Sequence, residues 1–316
     1  MRPRTLLAAA LTVTALLIPA APAHAADVET LVSFDMNAGE APEGIAMDKR
    51  GDIFVSLTAP VSEIRKVSPD GEMTTLADLG LGGFGPLGLA VDAQGNVYVA
   101  AASFDPDTQG VYRLTPDGTA TRLPGTGAIA FPNGLAFDQR GNLYVADSTG
   151  AVWRIPRGGS AELWSDDPLL VGDGSAGAGV PIGANGITYR TNEIVVGNSD
   201  LGTLISIPIL PDGSAGDATV LLDDPAIFGI DGLTVDAHGT IYACVIVQST
   251  VVRIHGDDVE TLADADDGIT SASSIVFGQG PRDHRSLYGV NFGIFSPQPM
   301  PSVWRLPVGV PGAPQP

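Results

Sequence analysis

The sequence predicts an all-β chain folded as a six-bladed β-propeller, with an N-terminal strand completing the last blade. Three observations carry this expectation. A strand–turn–strand unit recurs six times, a hairpin follows it in most copies, and the last copy is one strand short while the N-terminal region offers a spare one.

The recurring unit is clearest near the start. Pro42-Glu-Gly-Ile-Ala-Met-Asp-Lys-Arg-Gly-Asp-Ile-Phe-Val55 is followed by Pro86-Leu-Gly-Leu-Ala-Val-Asp-Ala-Gln-Gly-Asn-Val-Tyr-Val99 and by Pro132-Asn-Gly-Leu-Ala-Phe-Asp-Gln-Arg-Gly-Asn-Leu-Tyr-Val145. Ala184-Asn-Gly-Ile-Thr-Tyr189 opens a more diverged fourth copy. Ile230-Asp-Gly-Leu-Thr-Val-Asp-Ala-His-Gly-Thr-Ile-Tyr242 is the fifth, and Ala272-Ser-Ser-Ile-Val-Phe277 the weak sixth. In the clearer copies a short apolar strand runs into an Asp-x-x-Gly turn and a second apolar strand. Hairpins such as Ser62–Leu76 and Gly110–Leu123, each turning at Pro-Asp-Gly, add the third and fourth strands. Copies start 42 to 52 residues apart, the length of a four-stranded blade.

Ring closure is legible at the ends. The sixth copy finishes at Ser302-Val-Trp-Arg-Leu-Pro307 without a fourth strand, and Val28-Glu-Thr-Leu-Val-Ser-Phe34 matches Val259-Glu-Thr-Leu262 of the fifth blade. Pairing the two removes an open sheet edge. Short turns after the first and third strands define a tight lower face. The longer connections into each first strand define an upper face where function is expected. The longest of these, Ser165 to Gly183, contains five glycines from Gly172 onward and is expected to form a mobile lip.

Residues 1–25 read as a secretory signal peptide: Arg2 and Arg4, an apolar stretch, then Ala23-His-Ala25 as a cleavage site. The apolar stretch is short for a bilayer span, so the expected product is residues 26–316, a single domain secreted to the extracellular or periplasmic side without membrane insertion. The net charge of −20 becomes −22 once the two leader arginines are removed. A surface this acidic repels nucleic acid and anionic lipid and attracts cations. The lone cysteine, Cys244, lies in an apolar strand and reads as a core thiol.

One repeat position stands out. The residues preceding the glycine of each first strand are Glu43, Leu87, Asn133, Asn185, Asp231 and, with Ser274 in place of glycine, Ser273. In a propeller the first strand lines the central axis, so two carboxylates and two amide oxygens converge at the tunnel mouth. That donor set suits a hard divalent cation, calcium foremost and another divalent cation as an option; zinc lacks its usual ligands. The competing reading is that Asn-Gly and Asp-Gly are merely turn pairs. Asp48, Asp92, Asp138 and Asp236 open the lower turns and read as side-chain caps. His238 and His255 fall toward the lower face, His284 in a hairpin turn, and no nucleophile–histidine arrangement is evident. Trp153, Trp164 and Trp304 read as blade packing.

Over nearly the whole chain beyond the leader, the sequence resembles the SMP-30/gluconolactonase/LRE-like family. The resemblance is carried by Pro42-Glu-Gly44, Pro132-Asn-Gly134, Ala184-Asn-Gly186 and Ile230-Asp-Gly232. It implies calcium-dependent hydrolysis of a lactone or related ester, a small-molecule substrate, and metal ligands at Glu43, Asn185 and Asp231. Asn133 would be a fourth ligand or substrate-facing group, and Asp231 a ligand that also acts as base or nucleophile. Sugar-lactone hydrolases of the family carry an arginine where Phe131 stands here. Phe131 is therefore expected in an apolar substrate pocket, and a less polar lactone or ester is expected as substrate. Gly134 to Asp147 also resembles an NHL repeat, which implies the alternative of a nonenzymatic binding propeller with a structural calcium ion. Isomerase or lyase chemistry in the same ring is a third option.

Overall fold

The computed structural model describes residues 27–280 and 283–314; the signal-peptide reading, residues 1–25, lies outside them. Six sheets of four antiparallel strands are arranged as blades, and within five of them the strands follow chain order from the axis outward. The inner strands are Pro42–Met47, Gly85–Val91, Pro132–Phe137, Ala184–Arg190, Ile230–Val235 and Ala272–Phe277. The sixth blade takes Glu29–Ser33 as its outermost strand: Glu29 lies opposite Arg305 and Ser33 opposite Ser302 in antiparallel register. The expected closure is thus present.

Burial follows the same logic. Pro42–Met47 and Ile53–Leu57 are buried throughout, whereas Met73–Asp78 at the rim of the same blade is mostly exposed. Runs buried on both faces need apolar side chains throughout, and these runs are rich in Ile, Val, Leu and Phe. The apolar contacts lie between blades. Six clusters each join two neighbours; one of them packs Ile45, Val55 and Leu57 of the first blade against Val290 and Val303 of the last. Trp304 and Cys244 are fully buried between the fifth and sixth blades, and Trp153 and Trp164 pack against interblade cores.

The lower turns are capped as expected. Oδ1 of Asp48 accepts from the backbone N–H of Arg50 and Asp52, both at 2.9 Å, and Asp92, Asp138 and Asp236 repeat the pattern. Gly51 and Gly95 close these turns at φ 89° and 81°, a conformation that favours glycine.

Two features were not anticipated by the sequence reading. The Ser165–Gly183 connection, expected to be a mobile lip, is tied down by one carboxylate. Buried Asp200 accepts from the N–H groups of Gly174 (2.7 Å), Ala176 (3.1 Å) and Ile182 (2.7 Å). Asn198 adds bonds to the carbonyls of Leu169 and Val171. Three N–H bonds to one ion offset much of the entropy that ordering a glycine-rich segment costs. On the lower face, residues 308–314 form a strap. Val308 and Gly309 donate to Arg285 O, Gly312 to His284 O and Ala313 to Val235 O, while Pro311 O accepts from Ala237.

Candidate functional site

The ring residues owe their direction to a bulge. In each of the first five inner strands the pairing register shifts across this position, between Pro42 and Ile45, Pro86 and Leu89, Pro132 and Leu135, Ala184 and Ile187, and Ile230 and Leu233. A bulge re-aims a side chain while the strand continues. The following glycine has a separate cause. A Cβ at Gly44 would lie 2.3 Å from Leu87 O, at Gly88 2.4 Å from Asn133 O, at Gly134 2.4 Å from Asn185 O, and at Gly186 1.8 Å from Asp231 O. Each glycine lets the backbone of the next blade's ring residue press against it, which draws the ring tight. These pairs sit inside strands, so the turn reading of Asn-Gly and Asp-Gly falls.

Glu43, Asn133, Asn185, Asp231 and Ser273 line one cavity of about 390 Å³ that follows the tunnel down to the strap residues Ala313 and Pro314. All five are buried. Asn133 Nδ2 donates to Ser148 Oγ at 3.2 Å and Asn185 Nδ2 to Ser199 Oγ at 2.9 Å. Holding each amide by its nitrogen leaves the oxygen free for another partner. Asn185 Oδ1 and Glu43 Oε2 are shut off from solvent and make no hydrogen bond. The remaining positions are not donors to a cation: Leu87 packs into an apolar cluster, and Ser273 Oγ donates to Glu43 O at 2.7 Å.

Burial pushes the Glu43 carboxyl up to about 8. Asp231 is raised well above the usual carboxylate range, first by burial and then by the negative charge of Glu43, with a bond from Asn185 acting the other way. Burial, with a further contribution from Asp231, raises Cys244 as well, which keeps it a thiol and agrees with a core role. Two buried carboxylates that oppose each other's ionisation, with one Glu43 oxygen and the Asn185 amide oxygen lacking any donor, make a site that a hard divalent cation fits. Among the described residues no three of His, Cys, Asp and Glu come together as a metal cluster; the candidate set is two carboxylates and two amides.

A pH dependence follows. With its pKa raised from 4.5 to about 8, Glu43 contributes stability that is fully present below 4.5 and lost as pH rises through about 8. Chelated protein is therefore expected to lose melting temperature between about pH 5 and about pH 8, and calcium to cancel most of that loss. Calorimetric scans with and without chelator check this; a melting temperature of the chelated protein that is flat or rises over the window contradicts it.

Phe131, expected at the pocket, does not line the cavity that the ring residues share; it is buried against Leu87, Ala102, Ile182 and Phe84. Its ring stacks on Phe84 at 5.4 Å and meets Phe104 edge-on at 5.2 Å. Sequence reasoning missed Phe84, Phe104 and the orienting serines. The serines had a signal: the residue just after the second strand is Thr58, Ser103, Ser148 and Ser199 in copies one to four.

No protein-family model matches the chain, and no curated protein matches it in sequence. Solved structures do. A luciferin-regenerating enzyme aligns with TM-score 0.69 at 15% identity, covering 91% of this chain and 98% of its own. A gluconolactonase from Xanthomonas campestris gives 0.66 at 19% identity over 93% and 99%. The calcium-binding protein regucalcin from Agrobacterium tumefaciens gives 0.66 at 16% identity over 90% and 96%. The chain is a six-bladed β-propeller that closely matches the folds of these gluconolactonase, regucalcin and luciferin-regenerating structures.

Proposed function

We propose that this chain is a divalent-cation-dependent hydrolase of a lactone or related ester, with calcium as the preferred ion and residues 1–25 as its export leader. The observation that carries the reading is the pair of buried, unpartnered oxygens, Glu43 Oε2 and Asn185 Oδ1, converging with Asp231 on one cavity. Glu43, Asn185 and Asp231 would hold the ion, with Asn133 as fourth ligand or as the group that orients substrate. When bound, such an ion polarises a carbonyl and stabilises the oxyanion that develops on it. The chain's own residues do the rest. Ser148 and Ser199 fix the two amides. Glu43 keeps the electrostatic cost of a second charge on Asp231 high, which makes that carboxylate a ready proton acceptor or nucleophile once charge is balanced.

The test is hydrolysis by calcium-loaded and chelated protein across lactones, aryl esters and organophosphates. Calcium-dependent turnover supports the reading, and its absence from every class refutes it. Phe131 sits among aromatic rings rather than cations, so kcat/KM for gluconolactone is expected to be at least about tenfold below that for an alkyl-substituted lactone; a preference for gluconolactone contradicts this. The deep burial of the ring favours one further reading, a binding propeller in which the ion only stiffens the tunnel. In that case chelation lowers melting temperature without any activity to lose.

A further inference from the structure

We propose that Leu87, Phe131, Phe84 and Phe104 form an apolar lane carrying the alkyl chain of an amphiphilic lactone or ester from the ring to the upper rim, with Phe104 as the residue that sets chain-length preference. The proposal rests on reading the ring as the carbonyl-binding site.

The lane begins beside the ring, outside the cavity that the ring residues line. Leu87 holds the ring position of the second blade, between Glu43 and Asn133, and packs with Phe131, Ala102 and Ile182, with Phe84 against them. From there exposure climbs along the aromatic series: Phe131 is 5% exposed, Phe84 is half-buried and Phe104 is 51% exposed. Phe104 meets Phe84 edge-on at 5.7 Å and Phe131 at 5.2 Å, so the three rings are one contiguous surface. No side chain of the lane can donate a hydrogen bond. Sugar hydroxyls moved onto it would shed water without replacement, whereas methylenes gain from the transfer.

Phe104 is also held in place against its own preference. Its φ is 58°, in the left-handed region that a bulky aromatic rarely adopts. Gln109 enforces this: Oε1 accepts from Phe104 N at 2.7 Å, while Nε2 donates to Ile129 O at 2.7 Å and Ala130 O at 2.6 Å. The Asp147 carboxylate then receives Ala130 N and Phe131 N, both at 3.0 Å. Gln109 and Asp147 thus lock the loop bearing Phe104 to the segment bearing Phe131, two residues before Asn133. A strained, half-exposed aromatic in a rigid mount, continuous with the ring, is suited to contacting a ligand.

Phe104→Gly is the informative variant because glycine adopts this φ freely and the loop keeps its anchors. The measurement is kcat/KM of calcium-loaded wild type and variant on γ-butyrolactone and γ-dodecalactone. Wild type is expected to prefer the long-chain lactone, and the variant to reduce the long-to-short ratio by about tenfold. A ratio that is unchanged, or two rates that fall in parallel, overturns the lane while leaving the hydrolase reading intact. A second readout needs no turnover. Phe104→Trp fluorescence is titrated with γ-dodecalactam, whose amide resists hydrolysis, and a saturable change absent with γ-butyrolactam is expected. If neither lactone is hydrolysed yet this change appears, the chemistry fails and the lane stands; if the fluorescence is also silent, both fail.

Discussion

Asp231→Asn is expected to lower turnover at saturating calcium by about a thousandfold while the propeller stays folded. Asparagine keeps an oxygen of nearly the same size and reach but removes the negative charge and the basicity. The fold does not depend on that charge: the blades are held by strand pairing and by the six interblade cores. In the metal-free protein the substitution also relieves the opposition between Asp231 and Glu43, so chelated variant should melt no lower than chelated wild type. Glu43→Gln is the matched comparison, because it removes one charge from the same cavity and should cost activity mainly through weaker ion binding. Turnover has to be compared at verified metal occupancy. A fully loaded Asp231→Asn with near-native rate would show that Asp231 is a ligand only. If Asp231→Ala and Glu43→Gln both leave calcium affinity unchanged, the ring is not the site.

Gly186→Ala should destabilise the fold by at least about 3 kcal/mol and lower the melting temperature by about 5 °C. The new Cβ would stand 1.8 Å from Asp231 O and 2.7 Å from its carbonyl carbon. Neither is the loose end of a side chain, so two inner strands must separate. Because the displaced backbone belongs to Asp231, calcium affinity should fall with stability, which links packing to the site. Gly82→Ala is the control: its Cβ would meet nothing within 4 Å, and its expected effect is within about 0.5 kcal/mol. Thermal melts of the three proteins decide the matter, and equal melting temperatures for Gly186→Ala and wild type would remove the close-contact account of the ring glycines.

What the sequence made legible was whatever repeats. Six apolar strand pairs at a regular spacing, a last copy lacking a strand and a spare strand at Val28–Phe34 led to the architecture, and the polar residue before each glycine led to Glu43, Asn133, Asn185 and Asp231. The reason for the glycines was hidden, because a dipeptide such as Asn185-Gly186 looks the same in a turn and in a bulged strand. It takes the neighbouring blade to show that Asp231 O fills the missing Cβ position. Features that occur once were opaque for a related reason. The restraint of the Ser165–Gly183 insertion comes from one aspartate, Asp200, beyond the segment it binds, and composition alone suggested mobility. The lower strap is joined largely through backbone groups of Arg285, Val235 and Ala237, which leave no side-chain pattern to read. Phe104 drew no notice because an isolated aromatic in a loop has no periodicity; its left-handed backbone and its contacts with Phe84 and Phe131 are visible only in three dimensions.

The pairing of Glu29–Ser33 with Ser302–Pro307 fixes an order of events during synthesis. Glu29 and Arg305 are 276 residues apart, so a strand made before any of the six inner strands is among the last to find its partner. Five blades can form in turn from local hairpins, each as soon as its own four strands exist. The sixth has to wait for Pro307, and until then the nascent ring carries an unpaired strand at one end and an open edge at the other. Such edges are where chains join wrongly with one another. Closure therefore acts as a completion check written into the chain order: a product truncated before residue 302 keeps both loose ends and should be the form that aggregates or is degraded.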